Sequence, residues 1–228
     1  MRYLLTHLHE AWGLTVIHLR LSLVPVLIGL AIALPLGMLV QRRRIARRLT
    51  TAAAGVVFTV PSLALFVALP MLIGTRILDE ANVVVALTAY SAALLVRGVL
   101  EALDAVPTQV RDAATAVGYP PITRMMKVEL PLAVPVLVAG LRVVVVTNIA
   151  MVSVGSVIGI GGLGSWFTQG YQTDKSDQIL AGIIALFGLA VVIDVLIMLA
   201  GRLATPWAHA TRGSGRRSVV APVVGGAR

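Results

Sequence analysis

Apolar runs over 21–40, 52–75, 81–100, 132–158 and 179–201 divide the chain, with polar breaks between them. Each is long enough to cross a hydrocarbon core of ~30 Å as a helix rising ~1.5 Å per residue. The pattern predicts an all-α membrane protein with five transmembrane helices. In the second run Pro61 follows Thr59 and precedes Ser62, which predicts a kink and a freed carbonyl. Residues 1–13 read as an external N-terminal segment with an interfacial helix. His18 and Arg20 then sit near the outer start of the first span, where they are expected to snorkel. Ala31-Ile32-Ala33 mimics a signal cleavage site, but most of the positive charge follows the apolar run, so the span is read as retained. The tail 208–228 is rich in Gly, Arg, Ser and Val without helical periodicity, and is expected to be disordered.

The break over 101–131 is different in kind. Val110 to Val117 favours a helix, and Gly118 stops it because glycine accepts the left-handed backbone. Pro120 and Pro121 prevent simple continuation and can start a new helix. Ile122 to Leu130 forms that second short helix, and Pro131 closes it. The prediction is a helix–turn–helix elbow at the membrane surface.

Composition agrees with the hydropathy pattern. Of the 228 residues 58% are hydrophobic and 13% charged, with a mean hydropathy of +0.93. A soluble domain would carry roughly 25% charged residues. The net charge of +9 raises nucleic acid as a partner, but the basic residues lie in short blocks between apolar runs. There they set orientation toward membrane lipid. Arg42, Arg43, Arg44, Arg47 and Arg48, the elbow with Arg97, Arg111, Arg124 and Lys127, and the arginine-rich tail fall on one side. Arg2, Arg20, Arg76 and Lys175 fall on the other. The N-terminus is therefore expected outside and the C-terminus in the cytoplasm. The chain has no cysteine, which excludes disulfides and thiolate metal sites. His7, His9 and Glu10 lack the further ligands a metal site needs.

Several residues stand out within the spans. Arg142 and Asp194 are charges in the inner half of the fourth and fifth spans, and a structural ion pair between them is the leading reading, ahead of a proton or ion site. Thr59, Ser62, Tyr90, Ser91, Asn148, Ser153 and Ser156 form a loose polar set that either lines a path or bonds helix to helix. Gly155 and Gly159 are spaced for close helix packing or a dimer seam. Gly159 to Gly164 matches the dinucleotide pattern GxGxxG, but no βαβ unit surrounds it, so it reads as a backbone bend or close approach. No nucleophile–base pair or metal set supports an enzyme.

Asp112-Ala113-Ala114, three residues, Gly118, nine residues, then Val128-Glu129-Leu130-Pro131 resembles the cytoplasmic EAA loop of ABC importer permeases, with Asp112 where that pattern has Glu. Thr59-Val60-Pro61-Ser62-Leu63-Ala64-Leu65 and the run Val157 to Gly164 are similar to segments of the osmoprotectant permeases for glycine betaine, choline, carnitine and proline. Methionine-type permeases carry a segment like the second. The resemblance covers 14–207 and implies a type I ABC importer permease fold, with the elbow as coupling loop. It implies that Asp112, Ala113, Ala114, Gly118, Arg124, Leu130 and Pro131 form the ATPase-coupling site, Ala113 and Ala114 allowing close approach and Arg124 acting as a polar anchor. It further implies a cytoplasmic ABC ATPase subunit that binds the ATP, an extracytoplasmic substrate-binding protein and a second permease subunit, identical or related. The chain has no Walker A sequence, so it is expected to hold no cofactor and to be no enzyme. The competing readings are an amino-acid (methionine-type) importer, a membrane scaffold that uses the elbow only for docking, and a secondary transporter or channel. The last would want intramembrane ion ligands or inverted repeats.

Overall fold

A computed structural model describes residues 2–207, and every regular element among them is helical. In chain order these are α1 (Arg2–Thr6), α2 (Leu8–Val40), α3 (Arg44–Thr59), α4 (Ser62–Ile73), α5 (Glu80–Asp104), α6 (Thr108–Ala116) and α7 (Pro121–Arg124), then a wide π turn (Met125–Glu129), α8 (Leu130–Gly155), a 3-10 turn (Ser156–Ile158), α9 (Ser165–Gln172) and α10 (Ser176–Ala204). Helix α2, helix α5, the continuous stretch Pro121–Ile158 and helix α10 are long and apolar enough to cross a membrane. The pair α3–α4 makes a fifth crossing only if its two halves count together, because they meet at 99°. The expected tail disorder lies outside the described residues.

Helices α2, α5 and α8 form the centre. The seam between α2 and α5 runs along buried Gly29, Ala33 and Gly37. A Cβ on Gly29 would stand 2.7 Å from Ser91 Cβ and 2.9 Å from the Ala92 backbone nitrogen, and one on Gly37 would stand 2.5 Å from a Val99 methyl. Small residues four apart let the two backbones approach, the usual way membrane helices gain packing contacts. Val26, Ala33, Val96, Val145 and Ile149 fill the middle of the bundle, while Phe66, Leu87, Tyr90 and Val152 fill one end.

Four expectations need correction. Helix α2 begins at Leu8, so 8–13 belong to the first long helix and only the short helix α1 precedes it. His18 does not snorkel: it is fully buried, with Nε2 donating to the Ile149 carbonyl at 2.9 Å, whereas Arg20 stays exposed and pairs with Glu80. Pro131 does not close the elbow. It sits in the first turn of α8, and the π turn before it, whose Leu130 N–H reaches back to the Met125 carbonyl, accommodates a residue with no N–H to give. Gly155 and Gly159 do not share a helix face either. Gly159 leaves the helix with φ +84, and Gly155 faces the Ile160 carbonyl, which would lie 2.6 Å from a Cβ there.

Candidate functional site

The elbow is built from a cap, a turn and a buried charge. Helix α6 ends in a complete C-terminal motif: the Gly118 N–H donates to the Thr115 carbonyl (2.9 Å) and the Tyr119 N–H to the Ala114 carbonyl (3.1 Å). Gly118 has φ +96, and no neighbouring atom lies within 4 Å of a Cβ there, so backbone conformation rather than space demands glycine. Asp112, Ala113, Ala116 and Val117 face outward, and Ala114 turns in. Beyond the turn Tyr119 and Ile122 are exposed, and Leu130 and Pro131 are half-buried where the elbow becomes α8. Along Asp112, Ala113, Ala116 and Val117 the exposed positions of α6 carry short side chains and one acid.

Arg124 turns into the elbow. Its side chain is only 13% exposed. It donates to Glu129 Oε1 at 2.9 Å and to the Thr115 hydroxyl, and so braces the elbow from within. Glu129, to which the sequence assigned no role, is fully buried and receives a second donor, Arg42, at 2.8 Å from just beyond the end of α2. The signal was there in outline: one acid inside an apolar stretch, and a block of arginines elsewhere needing partners. A second bridge, Arg47 to Asp104 at 3.1 and 2.5 Å, ties α3 to the end of α5, and Arg97 donates to the Thr51 carbonyl at 2.9 Å.

Arg142 and Asp194 meet as a two-point pair, Nε to Oδ1 at 2.7 Å and a terminal guanidinium nitrogen to Oδ2 at 2.6 Å. The fork matches the carboxylate plane and links α8 to α10. Their side chains are 34% and 29% exposed, so the pair lies on the flank of the subunit.

The polar set divides. Ser91 and Asn148 are fully buried, and Asn148 Nδ2 donates to Ser91 Oγ (2.8 Å) and to the Ser22 carbonyl (3.2 Å). Tyr90 is also buried, and its hydroxyl donates to the Val60 carbonyl at 2.5 Å, which pins the 99° break beside Pro61. These three join elements inside one subunit through their hydrogen bonds. Thr59 is exposed at the same break, with its hydroxyl turned back to the Val56 carbonyl, and Ser62 is half-buried. Ser153 is half-buried, and its hydroxyl has no hydrogen-bond partner among the described residues.

The glycine-rich run folds back as a plug. A Cβ on Gly161 would lie 2.6 Å from Ser156 Cβ, on Gly162 2.5 Å from His18 Cβ, and on Gly164 2.8 Å from Ser153 Cα. The glycines serve packing against α2 and α8, and no loop remains open to cradle a phosphate. Among the described residues no group of three or more His, Cys, Asp or Glu side chains gathers to hold a metal ion.

Comparisons with known proteins agree with this architecture. Residues 26–208 match the family described as "Binding-protein-dependent transport system inner membrane component". The chain is 34% identical to the osmoprotectant import permease protein OsmW of Salmonella typhimurium, over 86% of this chain and 93% of that one. It is 30% identical to the choline transport system permease protein OpuBB of Bacillus subtilis, over 90% and 94%. Among solved structures it is similar to the MetNI methionine ABC transporter in an inward-facing conformation, with TM-score 0.71 and 26% identity over 86% of this chain and 94% of that one. With the apolar helices, the capped elbow and this match in view, the chain belongs to the family of binding-protein-dependent transport system inner membrane components, and is a permease subunit of an ABC importer.

Proposed function

We propose that this permease carries a small osmoprotectant such as glycine betaine, choline, carnitine or proline. The solute is delivered by an extracytoplasmic binding protein, and import is driven by a cytoplasmic ATPase subunit seated on the elbow. The observation that carries the substrate reading is similarity over 86–90% of the chain to permeases named for osmoprotectant and choline transport. The outward face of α6, with Asp112, Ala113 and Val117, supports the elbow as the ATPase seat, because small side chains admit a close partner. A second permease subunit, identical or related, belongs to this reading, because five crossings are too few to enclose a path alone. In this reading the N-terminus is outside and the arginine-rich first loop, the elbow and the C-terminus are cytoplasmic, with the bent pair α3–α4 counted as one crossing. The likeness to a methionine transporter favours an amino acid as the second reading of the substrate.

The test is ATP hydrolysis by the reconstituted complex of this chain, its ATPase and its binding protein. Glycine betaine is expected to stimulate wild-type hydrolysis, and Gly118→Asp to abolish the stimulation, because a side chain at φ +96 strains the turn that presents α6. Stimulation by methionine but not betaine moves the substrate to the second reading. Hydrolysis indifferent to this chain defeats the transport reading.

A further inference from the structure

Glu129 is the most deeply buried charge near the elbow, and the sequence resemblance assigns it no part. It is 0% exposed and lies at the last position of the π turn. One carboxylate oxygen takes both guanidinium groups, from Arg42 and Arg124, and the other oxygen is buried without a hydrogen-bond partner among the described residues. Two guanidinium groups share one buried carboxylate, and breaking a buried ion pair by removing one partner is costly. Arg124 in turn donates to Thr115 on α6. One chain of polar contacts therefore runs from the end of α2, through the π turn and α7, into the helix that presents Asp112 and Ala113.

The packing around this chain gives it weight. Between the end of α2 and the elbow lies a groove of about 330 Å³, lined by Met38, Leu39, Ile122, Met125 and Met126, with Arg42 at its edge. Apolar contacts there are incomplete, and Arg42 is the residue that reaches across to Glu129. The π turn adds a locally loosened backbone at the same place, since its bonds span one residue more than those of an α-helix. A wide turn beside a groove is a place where the elbow can tilt on α8. A doubly bridged buried carboxylate at that turn makes α2 tilt with it.

We propose that Glu129 is a positioning residue for energy coupling: its bridges to Arg42 and Arg124 lock the elbow to the cytoplasmic end of α2, so that displacement of α6 is transmitted to the first long helix. This rests on the transport reading above. The pathway is discrete, a single carboxylate with two donors, and so it is testable by charge removal.

The experiment uses the complete complex in proteoliposomes and measures uptake of labelled glycine betaine (or of methionine, where methionine alone stimulates hydrolysis) and ATP hydrolysis in the same vesicles, for wild type, Glu129→Gln, Arg42→Gln and Arg42→Lys. Gln at 129 keeps the shape and removes the charge. Gln at 42 alters only the partly exposed partner, whose side chain is 47% exposed, and so keeps the test alive if the buried variant fails to assemble. Uptake per ATP hydrolysed is expected to fall about tenfold in both Gln variants, within the usual range of coupling between sites, with hydrolysis itself within about twofold of wild type. Arg42→Lys, which keeps one charged donor, is expected to restore most of the ratio. A purely structural part for Glu129 lowers uptake and hydrolysis together, leaves the ratio unchanged, and overturns the proposal. An unchanged ratio in Arg42→Gln overturns it as well. A wild-type complex with no solute-stimulated hydrolysis overturns the transport reading, and this inference falls with it. A coupled wild type with an indifferent ratio overturns the inference alone.

Discussion

Helices α5 and α10 are both apolar enough to span a bilayer, yet they live in opposite surroundings. More than half of the most apolar stretch of α5 is buried inside the subunit, and none of that of α10 is. The buried helix carries Asn82, Tyr90 and Ser91 on its inward faces, each hydrogen-bonded. The outer helix shows Leu180, Ile183, Phe187, Val192 and Leu196 on its exposed faces. In water the most hydrophobic helix would be the core. In lipid the tails are as apolar as leucine, so association comes from close packing and interhelical hydrogen bonds, and the polar, small-residue helix goes to the centre. Hydropathy here reports which helix meets a nonaqueous surrounding, and small or polar residues report which helix meets another helix.

One substitution made in both regions sharpens this contrast most. Gly29→Ala on the α2–α5 seam puts a Cβ 2.7 Å from Ser91 Cβ and 2.9 Å from a backbone nitrogen. It is expected to destabilise the detergent-solubilised subunit by about 1–3 kcal/mol, as overpacking does. Gly188→Ala on α10 meets nothing within 4 Å and should leave stability unchanged or raise it by up to about 1 kcal/mol, through helix propensity. Thermal unfolding of both variants decides the matter, and equal losses would break the comparison.

The bridge between the regions comes next. Arg142→Ala and Asp194→Ala each separate α10 from α8 and leave a lone charge. The double variant is expected to lose less stability than the two single losses combined, the mark of a direct pair. Additive losses would show that each charge has its own partners. A smaller effect is expected for Asn148→Leu, which removes the bonds to Ser91 and the Ser22 carbonyl. Interhelical bonds of this kind are worth about 1 kcal/mol in membrane bundles. A larger loss would mean that the polar centre matters more than the glycine seam.

Much of this was legible in the sequence, and the reasons are local. Gly118 and the prolines after it specify where α6 stops, because backbone conformation there depends on the residues themselves. Pro61 marks a break for the same reason, though its 99° angle depends on Tyr90, some thirty residues on, holding the Val60 carbonyl. The run Gly29, Ala33, Gly37 was equally visible as a small-residue stripe, but nothing local says which helix it faces. His18 reads as an interfacial residue until α2 is known to extend upstream and Gly162 to fold onto it.

What the sequence determined alone is the class of molecule: apolar runs of bilayer length, basic blocks between them, and an elbow whose cap is written in Gly118. What only the tertiary structure decided is the partner of each buried polar group. A buried carboxylate or amide has to be satisfied wherever the fold brings a donor. Arg42 reaches Glu129 from a distant part of the chain, and Asn148 reaches Ser91 across the bundle. Periodicity records that a residue is buried, but the identity of its neighbour follows from how the helices cross, which no local pattern encodes.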